Sequence, residues 1–71
     1  MNASKRFAVT IEERNVNIWV LNIRDRESNT ITPIFITDKI DLANKKKIIV
    51  LDDLLIMESI DFKNKWLKGG L

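Results

Sequence analysis

At 71 residues the chain has the length of one small domain. It contains no Cys and no His, so it has neither disulfide staples nor the usual ligands of zinc and other transition metals. Its formal charge of +2 excludes an acidic mimic of nucleic acid and lends a basic nucleic-acid binder little support.

A domain this short buries only about 60% of the surface its unfolded chain exposes. Without staples or a metal, dense packing or association of copies must make up the deficit, and a homo-oligomer is the expectation. No apolar run reaches the roughly 18–20 residues of a membrane span. The opening Met1–Arg6 leads into strand-like alternation, not into an apolar signal-peptide core, so the cytoplasm is the expected compartment. The bias toward Ile, Lys and Asn is of the kind AT-rich coding produces, and it recurs in phage and mobile-element genes.

In chain order, residues 1–4 read as a frayed start. From Lys5 to Glu12, Phe7, Val9 and Ile11 alternate with Ala8, Thr10 and Glu12, the period of a half-buried strand. Glu13-Arg14-Asn15 interrupts it, and Asn15, tolerant of positive φ, is the expected place for the turn. Val16 to Arg24 is the strongest strand: Val16, Ile18 and Val20 point one way and Trp19, Leu21 and Ile23 the other, as in a central strand covered on both sides. The polar stretch 25–29 is a hairpin loop. Thr30 to Thr37 is a third strand, and Pro33 inside it predicts an edge or a bulge, because proline cannot donate to a ladder.

Asp38 to Asn44 reads as a loop or a single helical turn with Ile40 and Leu42 tucked under. Lys45-Lys46-Lys47 then leads into Ile48-Ile49-Val50-Leu51, whose apolar character predicts a further strand in the sheet. Asp52-Asp53 can cap a helix running to Lys68, with lysines in the last turn and Gly69-Gly70 just beyond as a stop. The rival makes Leu54 to Ile60 a fifth strand and only 61–68 helical, which gives a small barrel of the SH3-like or Sm-like kind.

The preferred fold is α+β: one domain over 1–71, a small antiparallel meander of three to four strands with one C-terminal helix packed on it, and 69–71 frayed. The expected core is Phe7, Val9, Ile11, Ile18, Trp19, Val20, Leu21, Ile23, Ile34, Ile36, Ile49, Leu51, Leu55 and Ile60.

Catalysis needs a positioned nucleophile, acid or base with a partner that tunes it. With His, Cys and Tyr absent, the serines Ser4, Ser28 and Ser59 remain, and none sits in a Ser-x-x-Lys spacing or a nucleophile elbow. No enzyme and no cofactor are expected. Asp38, Asp41, Asp52 and Asp53 are the conceivable Mg²⁺ ligands, but no calcium-loop spacing or phosphate-loop glycines accompany them, and turn chemistry and helix capping account for their positions.

Two candidate surfaces remain. Trp66, with Phe62 and Met57, forms a contact patch for another protein if the three protrude, since exposed Trp is enriched at interface hot spots. Lys45, Lys46 and Lys47, with Lys63, Lys65 and Lys68 around Trp66, would serve an RNA- or DNA-binding domain, as phosphates attract such clusters and an aromatic ring can stack on a base. The first reading leads: a non-enzymatic interaction module that binds another protein or itself, for instance a small accessory or phage-encoded regulator of a host protein. Nucleic-acid binding is the alternative.

Overall fold

The computed structural model describes residues 1–68, the last by its backbone alone. A single helical turn, α1 (Ala3–Arg6), leads directly into β1 (Phe7–Asn15), followed by β2 (Ile18–Asp25) and β3 (Thr30–Thr37). Then come α2 (Ile40–Ile56), α3 (Ser59–Lys63) and a π-helical turn over Asn64–Lys68. The sheet is an antiparallel meander in the order β1-β2-β3, open at both sides among the described residues. The α+β meander with helix packed after it is therefore present, and the small barrel is not.

The register shows why β2 is central and which face is dry. Phe7, Val9 and Ile11 stand opposite Asp25, Ile23 and Leu21, and Leu21 stands opposite Phe35, so these side chains share the face that α2 covers. The register shifts between Leu21 and Asn22, where β3 holds Ile34 as the extra residue directly after Pro33. Both Ile34 and Phe35 consequently reach the core, and Pro33 sits on an edge strand beside a bulge. The other face of β2 carries Val20, Asn22 and Arg24, paired with Ile36, Pro33 and Ile31, and there Val20 and Asn22 are buried although they lie outside the main core cluster. The expected central strand buried on both faces is present over Val20–Ile23.

The first turn falls two residues later than the sequence suggests. Asn17 takes φ 61°, a left-handed conformation that costs asparagine less than most residues, and Val16 is carried to the exposed tip. Asn29, at φ 58°, closes the second hairpin in the same way.

The largest correction concerns 45–51. No strand forms over Ile48–Leu51: α2 is one helix from Ile40 to Ile56, which joins the helical turn expected before Asn44 to the helix expected after Asp52-Asp53. Ala43, Val50, Leu54 and the half-buried Met57 recur on one side, and Val50, Leu54 and Met57 join Val9, Leu21 and Ile23 in one cluster. Of the expected core, Ile36, Ile49, Leu51, Leu55 and Ile60 are exposed, while Ala3, Ala43, Val50, Leu54 and Phe62 are buried instead. Phe62 stacks on Phe7 with ring centroids 5.2 Å apart.

The expected single helix to Lys68 is broken at Met57, whose ψ of 151° is extended. The chain's start occupies the break. Ala3 N–H donates to the Met57 carbonyl at 2.9 Å, Asn2 Nδ2 to the Leu55 carbonyl at 3.1 Å, and Ser59 N–H to the Met1 carbonyl at 2.9 Å. Carbonyls orphaned at a helix C-terminus need such partners, and residues 1–4, expected to fray, supply them with Ala3 fully buried. The Gly69-Gly70 stop and the frayed 69–71 lie outside the described residues.

Candidate functional site

Three segments converge beside the edge strand β3. Trp66, on the π-helical turn, is half-buried, and its indole Nε1–H donates to Asp53 Oδ2 at 2.8 Å. Lys65 Nζ lies 2.8 Å from the same oxygen. The Lys65 ammonium and then the indole hold the Asp53 carboxyl below the usual carboxylate range, against the opposing effect of burial. Lys46, from α2, lies 5.5 Å from the Trp66 ring centroid and 5.6 Å from that of Phe35 on β3. Lys65 stands 5.4 Å from the Trp66 ring. Together with Thr32, Pro33, Ile34 and Leu67 they line a cleft of about 390 Å³.

The second feature is larger and lies on the opposite side of α2. The face turned away from the sheet carries Leu42, Ile48, Ile49, Leu55 and Ile56, and Ile60 continues it on α3. Ile56 is 78% exposed, Leu55 69%, Ile60 68% and Ile48 59%. A surface helix ordinarily sets polar residues opposite its buried stripe. Here the outer face carries many apolar residues as well, and its charged members are Asp41, Lys45 and Asp52, all exposed.

The residues singled out from the sequence are divided by this geometry. Phe62 lies in the core and cannot present itself to a partner, while Met57 and Trp66 are both half-buried against the same cluster. The patch of Trp66, Phe62 and Met57 does not assemble. Lys45, Lys46 and Lys47 are consecutive in sequence but about 100° apart around a helix. Lys46 reaches the Trp66 cleft, Lys45 points to the outer face, and Lys47 is half-buried along another side. Lys65 joins Lys46, Lys63 is exposed on α3, and the Lys68 side chain lies outside the described residues.

Asp38 and Asp41 lie at the start of α2 and Asp52 and Asp53 near its end. That spacing is on the order of 16 Å along the axis, and no acidic cluster able to hold a metal ion exists among the described residues. No helix among them is long and apolar enough to cross a membrane.

The outer face of α2 was not legible as a site because its apolar residues pass for core. One signal was available: Leu42, Ile49 and Ile56 repeat every seven residues, a second stripe beside that of Ala43, Val50 and Met57. No known protein family, curated protein or solved structure matches the chain.

Proposed function

We propose that this chain is a non-enzymatic protein-interaction module whose docking surface is the outer face of α2, continued by Ile60. The observation that carries the reading is the exposure of Ile48, Ile49, Leu55 and Ile56 on one contiguous helix face. Exposed apolar patches of that kind, with polar residues among and around them, mark interaction sites. The composition agrees with a small accessory or phage-encoded regulator acting on a protein of its host. The cytoplasm is part of the same proposal, since a chain without Cys loses no staple there.

Comparative affinity capture tests it. The tagged native chain and a Leu55→Lys/Ile56→Lys variant are exposed to lysate of the producing cell, with and without nuclease. The expected result is a stoichiometric, nuclease-resistant protein held by the native chain and lost by the variant, with both giving the same far-ultraviolet circular dichroism. Equal capture by the two would remove α2 as the docking surface.

A second reading has its own observation: Lys46 and Lys65 flank the half-exposed Trp66 beside a cleft, an arrangement on which a base can stack while the ammonium groups meet phosphate. Titrating single-stranded oligonucleotide against Trp fluorescence at rising salt tests it. Quenching that weakens steeply with ionic strength and disappears in Lys46→Gln/Lys65→Gln supports it. The charge of +2 for the whole chain favours the protein partner.

A further inference from the structure

The outer face of α2 is complementary to itself. Seen along the helix, Lys45 and Asp52 lie on the centre line of the face, seven residues or about 10 Å apart, with Ile48 and Ile49 straddling the midpoint between them. Neither Lys45 nor Asp52 makes an ion pair among the described residues. A two-fold axis through the point between Ile48 and Ile49, perpendicular to the helix, exchanges the ends of the stripe. It sets Lys45 opposite Asp52 of the second copy, and Asp52 opposite that copy's Lys45. The same operation lays Ile48 and Ile49 each against its own counterpart and Leu42 against Ile56, while the exposed Asp41 falls beside Leu55 at the ends of the stripe.

We propose that the occupant of this face is a second copy of the chain, packed α2 against α2 in antiparallel fashion to form a two-fold symmetric dimer. The inference rests on the docking reading above and names its partner. Two-fold interfaces use one patch on both subunits, so a patch must carry its own complement. This one does so at Lys45 and Asp52 and along the aliphatic rows of Ile48, Ile49, Leu42 and Ile56 beside them. The opposite charges also specify the direction: a parallel pairing in register places Lys45 on Lys45 and Asp52 on Asp52, which repel. A chain with no disulfide that leaves this much aliphatic surface open on its longest helix gains through such a dimer the burial that its own core lacks.

Charge exchange tests the pairing in a way that no other occupant reproduces. Sedimentation velocity from low-micromolar to submillimolar concentration is expected to show a monomer–dimer equilibrium for the native chain. Lys45→Glu sets two pairs of carboxylates against each other across the axis, and Asp52→Lys sets two pairs of ammonium groups. Each is expected to weaken dimerisation by about tenfold or more, as like charges directly opposed are destabilising. The double exchange Lys45→Glu/Asp52→Lys restores both pairs and returns the affinity. Mixing the two single variants is the decisive arm: each repels itself, yet the two complement each other, so a heterodimer forms from two monomers. Circular dichroism on every variant confirms that α2 is intact.

A native chain that stays monomeric throughout overturns the dimer, as does a dimer indifferent to all four charge arrangements, which must use another face. Either failure differs from failure of the docking reading. That reading falls only if Leu55→Lys/Ile56→Lys leaves capture unchanged, and it survives if a monomeric chain holds another protein on α2.

Discussion

The indole N–H of Trp66 and the ammonium of Lys65 converge on one oxygen, Oδ2 of Asp53, each at 2.8 Å. Asp53 is largely buried on α2, so this oxygen is the polar latch that fastens the C-terminal turn to the helix. Because both donors share one acceptor, the latch separates into a hydrogen-bonding part and a charge part. Asp53→Ala removes both and leaves the indole N–H unpaired, with an expected loss of about 1–3 kcal/mol. Asp53→Asn keeps an acceptor for the indole and is expected to cost less. Urea denaturation of the two variants measures the difference, and in a Trp19→Phe background the emission of Trp66 is expected to shift to the red only for the alanine.

Acid is expected to loosen the fold through Asp25. Arg6 approaches its carboxylate with Nε and an Nη at 3.2 and 3.1 Å, and the backbone N–H groups of Glu27 and Ser28 add to the set. Chiefly through the Arg6 hydrogen bonds, the Asp25 carboxyl is held down to about 2. The folded value lies below the unfolded one, so the native state favours the ionised form. This contribution is complete above about pH 4 and is lost as the pH falls toward 2. Asp53, also lowered, adds a change of the same sign. Thermal unfolding followed from pH 5 to pH 2 should show a fall in midpoint that is shallower in Arg6→Gln.

Phe62 and Leu55, seven residues apart, give opposite expectations. Phe62 is fully buried on Phe7, and truncation to alanine is expected to cost about 3–5 kcal/mol, a large part of what a domain this size has. Leu55 is 69% exposed, and Leu55→Ala is expected to change the monomer's stability by no more than about 0.5 kcal/mol. Equilibrium denaturation at a concentration where the chain is monomeric checks both.

That contrast also explains how far the sequence could be read. The three strands were legible because Phe7, Val9 and Ile11 alternate, Leu21 and Ile23 continue the pattern, and Pro33 marks the edge. The helix over 40–56 was not, because Ile48, Ile49, Leu51, Leu55 and Ile56 on its outer side match Val50 and Leu54 in hydrophobicity. With apolar residues all round, no moment declares the period, and Ile-Ile-Val-Leu resembles a buried strand. The break at Met57 was hidden for another reason: neither Gly nor Pro stands there, and the N-terminal residues that occupy it are more than fifty positions away. For the candidate site, Lys46, Lys65 and Trp66 were named in advance, but their meeting depends on the helical course of α2, and the outer face itself passed for core.

The N-terminal residues should therefore matter more than their position suggests. Asn2 caps α1 by accepting from Ser4 N–H at 2.9 Å and donates to the Leu55 carbonyl. Asn2→Ala removes both interactions, and loss of an N-cap alone costs about 0.5–2 kcal/mol. The change is expected to raise amide exchange at Met57 and Ser59, flanking the helix break, ahead of the amides of β2. Hydrogen exchange that rose evenly across the chain would show that the N-terminus does not act locally.

Asn22 predicts a substitution in the stabilising direction. It is 5% exposed in the middle of β2, where its Nδ2 donates to Glu12 Oε1 at 3.1 Å and its Oδ1 meets no donor among the described residues. A buried acceptor without a partner costs about 1–3 kcal/mol, while the single bond it keeps goes to an exposed carboxylate. Val20 and Ile36 lie on the same face, so a β-branched apolar side chain suits the position. Asn22→Val is expected to raise the unfolding midpoint near neutral pH. Glu12 lies below the usual carboxylate range, first through Asn22 and then through Arg14. The variant leaves only the Arg14 contact, so Glu12 should titrate closer to its ordinary value. Carboxyl chemical shifts followed by NMR through the acid range check that second outcome independently of the gain in stability.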